Sequence, residues 1–311
     1  MPASNLSHQP TIILSPNTLW ERTIQRSATA LACGALHSIP TTYEQIEQAG
    51  IPFLVRILAN IARKEKAQQA DAQKPKTEGK PFNPFLPYET DLFVADLSPT
   101  HLCLLNKFNV VDHHLLIITR EYEDQENWLT LRDFEALAAC MAEIDGLAFY
   151  NAGRDAGASQ PHKHLQIVPL PIVPNGIRIP IEAAIAPVLS QASLAIASPL
   201  PYHHAIAPLD LDWTASPIDL AHVLLDRYYT LLATVDLPYL PGSDRQSGAY
   251  NLLATRRWMM LVPRSQDAFD GIAVNSLGFA GALLVRNHDQ LAHLKTYEPL
   301  TILQNVAFPK P

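Results

Sequence analysis

Asn151-Ala152-Gly153-Arg154-Asp155-Ala156-Gly157-Ala158-Ser159-Gln160 runs directly into Pro161-His162-Lys163-His164-Leu165-Gln166. The first part reads as a turn, because Gly153 and Gly157 among small polar residues let backbone amides approach a ligand closely. The second part alternates on a two-residue period through residues 161 to 170, as a strand does. His162, His164 and Gln166 then share one face, with Lys163, Leu165 and Ile167 on the other. Two imidazoles and a carboxamide beside an amide-rich turn suit phosphoryl chemistry. A neutral imidazole attacks phosphorus, the carboxamide donates to a phosphate oxygen, and amides and cations stabilise the remaining oxygens. The plainer alternative is a pair of satisfied core histidines, which requires the shared face, the turn and the apolar strand to coincide by chance. Metal binding is the other alternative, since His-x-His is a ligand spacing. Against it, glutamine is a poor zinc ligand, and no cysteine or third histidine lies nearby in the chain.

Upstream, Leu92-Phe93-Val94, Leu102 to Leu105 and His114 to Thr119 are short branched apolar runs expected to be buried strands. Thr130 with Asp133 three residues on predicts a capped helix, whose apolar face carries Phe134, Leu137, Met141 and Ile144 until Gly146 stops it. Leu147 to Tyr150 returns to strand. Between Arg63 and Lys80 six basic and three acidic side chains precede a proline-rich end at Pro81 to Pro87. That stretch reads as a solvated loop or, with its positive excess, as a cationic flap over phosphates. Downstream, residues 171 to 217 are rich in proline and alanine and read as a connection with one helix around Ile181 to Ala195. A helix near Ala221 to Ala233, strands at Tyr250 to Leu253 and Trp258 to Val262, and the glycine-bearing Asn275-Ser276-Leu277-Gly278-Phe279-Ala280-Gly281 follow. No repeat of fixed period is evident. The expected parts are residues 1–172 with the histidine strand, 173–217 as the connection, and 218–311 as the completing segment.

The 311 residues allow one large fold or two interlocked halves. With 48% hydrophobic and 17% charged residues the chain is built for a packed core rather than disorder. Its net charge of -7 argues against non-specific nucleic-acid binding, so any polyanion must meet a local basic site. Cys33, Cys103 and Cys140 form no C-x-x-C pair, which fits a reducing cytoplasm. Met1 to Ser15 lacks a basic region leading into a long apolar stretch, and no run approaches about eighteen apolar residues. Neither export nor a membrane span is expected.

The segments Asn106-Lys107-Phe108, Asp145 to Asn151, Gly157 to Gln166, Trp258-Met259-Met260 and Asn275 to Gly281 resemble the diadenosine tetraphosphate phosphorylases, or ATP adenylyltransferases, of the histidine-triad superfamily. In that branch glutamine replaces the last histidine of the triad, as Gln166 does here. The resemblance implies an α+β, HIT-like antiparallel sheet with flanking helices, extended by a C-terminal segment. It implies that His164 is the nucleophile taking AMP from the dinucleotide, that His162 orients it, and that Gln166 bonds the transferred phosphate. Substrate contacts carried over are Asn151, Gly157, Ala158, Ser159 and Gln160 on the polyphosphate, and Asp96 with Leu97 as a ribose and adenine pocket. Asn275, Ser276, Leu277, Ala282 and Arg286 complete them, with a basic contact at Arg56 or Lys64. Ala282 stands where the family usually has methionine.

The expected reaction is phosphorolysis of diadenosine tetraphosphate by phosphate to ATP and ADP, reversible, in a monomer. A divalent cation, magnesium for preference, would travel with the substrate, and no organic cofactor is expected. Rival readings are a dinucleotide hydrolase, a hexose-1-phosphate uridylyltransferase lacking its cysteine zinc ligands, and a non-catalytic dinucleotide sensor. His203-His204, His113 and Trp258-Met259-Met260 read as structural or core residues.

Overall fold

The computed structural model describes residues 11–58, 83–173, 176–189 and 199–310. Its centre is an antiparallel sheet whose first strands are β3 (Phe93–Asp96), β4 (His101–Leu105) and β5 (Leu115–Thr119), preceded by helix α1 (Leu19–Cys33) and the hairpin β1 (Thr41–Gln48) and β2 (Ile51–Leu58). Helix α2 (Leu131–Glu143), strands β6 (Gly146–Ala152) and β7 (His164–Pro169), and helix α3 (Glu182–Leu189) follow. Then come β8 (Ala205–Pro208), helix α4 (Pro217–Thr234), β9 (Tyr250–Ala254) and β10 (Trp258–Pro263). The chain closes with β11 (Ala268–Phe269), β12 (Ile272–Ala273), α5 (Ser276–Phe279), β13 (Ala282–Val285), α6 (His288–Tyr297) and α7 (Pro299–Val306).

The large sheet has the order β3-β4-β5-β7-β6-β9-β10-β8. Because its strands are buried on both faces, alternation sorts apolar side chains into two layers rather than into core and solvent. Cys103, Ile117, Leu165, Ala148, Leu252 and Leu261 face one layer, packed with side chains of α1, α2 and α4. Phe149, Val168, Leu253, Met260 and Val262 face the other, packed on β2, α3, α5, β13 and α7. At the β4 and β5 end this second face is covered separately, by Phe85 over Leu102, Leu104, Leu116 and Ile118. His164 and Gln166 lie between these two patches on that face.

The expected strands and the α2 helix form close to their predicted places. The Thr130 side chain accepts from the Asp133 amide and Asp133 accepts from the Thr130 amide, a capping box that starts α2. Gly146 opens β6 rather than ending the helix, which stops at Glu143. Within the proline- and alanine-rich connection, α3 matches the expected helix up to Leu189, and residues 190–198 lie outside the described residues. The same connection also carries β8, four residues that seal the sheet against β10 and are too short to show a period. Most of the charged stretch, residues 63–82, lies outside the described residues.

Although no fixed period is visible, the sheet repeats one succession of elements. The order β5-α2-β6-β7 recurs as β8-α4-β9-β10, and β6 meets β9 at the centre with each copy's remaining strands fanning outward. One superposition consistent with both registers matches the pair Ile118/His164 to Pro208/Trp258 and the pair Leu116/Gln166 to Ile206/Met260. His114 then corresponds to His204, and the Thr130–Asp133 cap to the Ser216–Asp219 cap. The spacing differs in each element, so the sequence shows no period. In the second copy Trp258 and Met260 replace the histidine and glutamine, and both are wholly buried.

Candidate active site

His164 is held at its backbone and at its ring. The ring Nδ1 lies 2.7 Å from the His162 carbonyl oxygen, which only accepts, so Nδ1 carries the proton. Nε2 has no hydrogen-bond partner among the described residues and is the nitrogen left for the adjoining cavity. Burial depresses the His164 pKa to about 4, so the ring is neutral and its Nε2 lone pair available at physiological pH.

His162 takes the opposite tautomer. Its Nδ1 faces the Asn83 Nδ2 donor at 3.0 Å, and its Nε2 lies 2.9 Å from the Thr119 carbonyl, so Nε2 carries the proton. Phe85 lies 5.5 Å from both rings. His162 therefore orients His164 through its backbone carbonyl, while its own ring is fully engaged elsewhere. Both nitrogens being spent also removes the His-x-His pair as a metal chelate. Among the described residues no group of three His, Cys, Asp or Glu side chains stands together as a metal cage.

Gln166 is oriented by a relay. Asn106 Nδ2, a donor, lies 3.2 Å from His114 Nδ1, and His114 Nε2 lies 2.9 Å from Gln166 Oε1. With Asn106 donating, His114 carries its proton on Nε2 and donates to Gln166 Oε1. The carboxamide's NH2 end is thereby the end left for a ligand. Burial holds His114 near pKa 4, so it stays neutral in this role. In the second copy Met260 takes the place of Gln166, and the buried Nε2 of His204 has no partner among the described residues.

Asn151 follows the same logic. Its Oδ1 accepts from Asn251 Nδ2 at 2.9 Å, from the Ser276 amide at 3.0 Å and from Ser276 Oγ at 2.7 Å, leaving its NH2 end as the group it can present. Beneath the turn, the buried Arg264 donates to the carbonyls of Ala156 and Val274 and to Asn251 Oδ1. This ties the 153–160 turn to the start of α5. Gly153 and Gly157 have φ of 90° and 85°, and a Cβ on Gly157 would sit 2.7 Å from the Val274 carbonyl oxygen. No other residue fits there.

The opposite face of the strand is equally committed. Lys163 Nζ is buried against Asp133 Oδ2 at 2.8 Å, Glu123 Oε2 at 3.0 Å and the Trp128 carbonyl at 2.8 Å. Burial alone would raise the Asp133 carboxyl, but Lys163 and His101 outweigh it and hold it well below the usual carboxylate range.

A cavity of about 860 Å³ opens over His164 and Gln166, at the large end of the range for small-molecule sites. It brings together the predicted Asn151, Gly157, Ala158, Ser159, Gln160, Asn275, Leu277, Ala282, Arg286 and Arg56. Arg56 donates to Thr41 Oγ1 and the Ile172 carbonyl, both at 3.2 Å. Lys64, its predicted alternative, lies outside the described residues.

Three predicted residues fall elsewhere. Ser276 is wholly buried and spends its hydroxyl on Asn151, so it shapes the site from behind. Asp96 sits on the edge strand, ion-paired with Arg120, and Leu97 is buried in the helix-side core. The upstream wall comes instead from the β4–β5 turn, where Asn106, Lys107 and Phe108 line the cavity. The β3 strand is three places from β7 in the sheet, and Asp96 is not among the residues that line the cavity. Arg154, inside the glycine turn, lines the cavity as a cation that spacing alone does not single out.

An α+β sheet presenting one neutral imidazole among oriented amides and arginines defines a nucleotide- or phosphoryl-handling enzyme. The comparisons carry that class to a family. Residues 9–187 match the Ap4A phosphorylase N-terminal domain and residues 198–309 the ATP adenylyltransferase C-terminal domain; the chain belongs to this family. It is 29% identical over 254 residues to the Saccharomyces cerevisiae diadenosine 5',5'''-P1,P4-tetraphosphate phosphorylase 2, spanning 73% of this chain and 76% of that one. It is 26% identical over 295 residues to Protein APA1 of the same yeast, spanning 86% and 87%. The crystal structure of yeast Ap4A phosphorylase Apa2 in complex with Ap4A has the same fold, with a TM-score of 0.70 at 22% identity over 96% of this chain and 99% of that one.

Proposed function

We propose that the protein phosphorolyses diadenosine tetraphosphate, with phosphate as acceptor, to ATP and ADP, and that it runs the reverse reaction. Family membership and the yeast phosphorylase relatives support the adenylyltransferase reading. The observation that carries the mechanism is the tautomer of His164: its Nδ1 proton is given to a carbonyl, and its Nε2 is left beside two amides whose acceptor ends are already spent. In the first step Nε2 attacks the phosphorus next to one adenosine, an N–P bond forms, the P–O–P bond breaks, and ATP leaves. In the second, a phosphate oxygen attacks the adenylyl-histidine, the N–P bond breaks and ADP leaves. Gln166 and Asn151 donate to oxygens of the transferred phosphoryl group, and the turn amides with Arg56, Arg154 and Arg286 meet the rest of the chain. Apolar patches on either side, Phe85, Leu104 and Leu116 against Val274, Leu277 and Leu283, suit a ligand with a nucleoside at each end. A divalent ion, magnesium by its preference for phosphate oxygens, is bound through the polyphosphate rather than by a protein cage.

We place the protein in the cytoplasm as a monomer, its cysteines being free thiols. None of the helices among the described residues is long and apolar enough to cross a membrane.

Incubation with diadenosine tetraphosphate, with and without phosphate, tests the reading. ATP plus ADP formed only with phosphate supports it. AMP plus ATP formed without phosphate points to hydrolysis, and no turnover points to a binding protein.

A further inference from the structure

β6 and β7 are hydrogen-bonded from Gly146 opposite Pro169 as far as Phe149 opposite Gln166. Two residues further, that register would set Asn151 opposite His164, yet the ladder ends before this pair. On its other side β7 continues, with Ile118 of β5 opposite His164. The place left by β6 is filled by a segment from the loop after β5. The Lys163 amide donates to the Glu123 carbonyl and the Gln125 amide to the Pro161 carbonyl, both at 2.8 Å, with Asp124 bridged to His162.

Gln125 occupies the junction itself. Its Oε1 accepts from the His164 amide at 2.8 Å, and its Nε2 donates to the Asn151 carbonyl at 2.8 Å and more weakly to the His164 carbonyl at 3.3 Å. The Gln125 carbonyl in turn accepts from the Tyr150 hydroxyl at 2.5 Å. The side chain is nearly wholly buried, and its carboxamide stands in for the peptide-to-peptide bond that would otherwise close Asn151 onto His164.

We propose that Gln125 is a positioning residue for the nucleophile: a carboxamide spliced into the sheet that parts β6 from β7 and fixes the His164 backbone. Its inserted length sets Asn151 and His164 far enough apart for a phosphoryl group to enter between the Asn151 amide and the His164 ring. It acts through His164 and Asn151 and needs no contact with substrate. This role rests on the adenylyl-transfer reading above.

Two substitutions separate positioning from bulk stability. Gln125→Leu keeps the volume but removes all three side-chain hydrogen bonds. We expect kcat to fall about 30- to 100-fold with KM within threefold of the unaltered protein, because a small misplacement of the attacking group costs that much. Gln125→Glu keeps the shape, and while protonated it still accepts from the His164 amide and donates to the Asn151 carbonyl. Once ionised it turns negative charge on both carbonyls. Its kcat, as a ratio to the unaltered protein at each pH, therefore falls as pH rises. The titratable groups around this position are His162 and His164 on the strand side, Tyr150 on β6, Glu123 and Asp124 on its own segment, and Lys163 with Asp133 beneath. All are shared with the unaltered protein and cancel in the ratio.

Tyr228→Phe, which breaks the buried Tyr228–Tyr250 hydroxyl bond on the far side of the sheet, is the control for general loosening and leaves kcat unchanged. A kcat for Gln125→Leu within threefold of normal, a loss matched by Tyr228→Phe, or a pH-independent ratio for Gln125→Glu would each overturn the proposal. Independently of turnover, ¹⁵N-labelled histidine reports the geometry: the His164 amide proton moves upfield in Gln125→Leu. An unmoved signal contradicts the positioning role, whereas an unaltered protein that does not turn over the dinucleotide contradicts only the functional reading.

Discussion

Nearly every polar atom around His164 has a single assignment, and the assignments compose. Asn106 fixes the His114 tautomer, His114 fixes the Gln166 carboxamide, and His162 fixes the His164 tautomer, so each ligand-facing atom is chosen by a neighbour one step further back. Such preorganisation is what electrostatic catalysis requires, because nothing must reorient when charge develops. His114→Phe keeps the ring and removes the donor. Gln166 is then free to turn its oxygen toward the phosphate, and kcat is expected to drop about tenfold to a hundredfold with the fold retained, less than the roughly hundredfold to thousandfold cost of deleting an oriented donor outright, because the carboxamide itself remains. Steady-state kinetics beside circular dichroism check it; unchanged kcat would mean that the relay does not orient Gln166. The histidine face itself was readable from sequence, because a two-residue period puts alternate residues together wherever a strand forms. Gln125 was not, since it enters from a separate loop and its neighbours in sequence carry no pattern.

At the scale of elements, β7 is anchored from its rear face by an ion cluster that spans α2 and the preceding loop. Lys163 and Asp133 are both buried, and Asp133 also caps α2 and bonds His101. Removing Lys163 leaves the buried Asp133 carboxylate without its lysine counter-charge. Lys163→Met is expected to lower unfolding stability by about 3–5 kcal/mol, the usual cost of breaking a buried pair from one side. Urea unfolding measures it, and a loss below about 1 kcal/mol would show that the cluster relaxes or hydrates. From sequence alone Lys163 was only a residue on the far face. The elements that were legible, α2, α4 and the apolar strands, are those with caps or long apolar runs. The β1–β2 hairpin and its parallel partner β13, which carry Arg56 and Ala282 to the cavity, depend on a contact between the two ends of the chain. Asp96 is assigned by resemblance alone, and edge-strand pairing sets it outside the residues that line the cavity.

For the molecule as a whole, the sheet holds the same succession of elements twice. Both copies supply strands and a capped helix to the common fold, but only the first keeps the histidine and glutamine, and the second fills the equivalent space with Trp258 and Met260. Its His204 is buried, with an Nε2 that has no partner among the described residues and a pKa lowered by burial to about 4. His114, His164 and His204 thus stay neutral in the folded protein down to about pH 4, while in the unfolded chain they protonate near 6.5. The folded-state values are depressed, so the unfolded state binds more protons in this window. Stability is accordingly highest above pH 6.5 and lost as pH falls toward 4, by up to about 1.4 kcal/mol per unit for each histidine. Asp133, held below its ordinary range, adds its loss only under more acidic conditions. Urea midpoints measured between pH 7 and 4 should fall steadily, and His204→Phe should flatten the slope; a pH-independent midpoint would contradict the burial of these rings.

The central claim, that His164 carries the adenylyl group, is tested most directly by trapping it. The protein is mixed with diadenosine tetraphosphate in the absence of phosphate, quenched under alkaline conditions that preserve phosphoramidates, digested, and its peptides weighed. An AMP adduct on the peptide containing His164, lost on addition of phosphate with release of ADP and absent from a correctly folded His164→Ala protein, is the expected result. An adduct at another residue, or phosphorolysis retained by His164→Ala at more than about a tenth of the normal rate, would contradict it, because loss of a true nucleophile costs several kcal/mol.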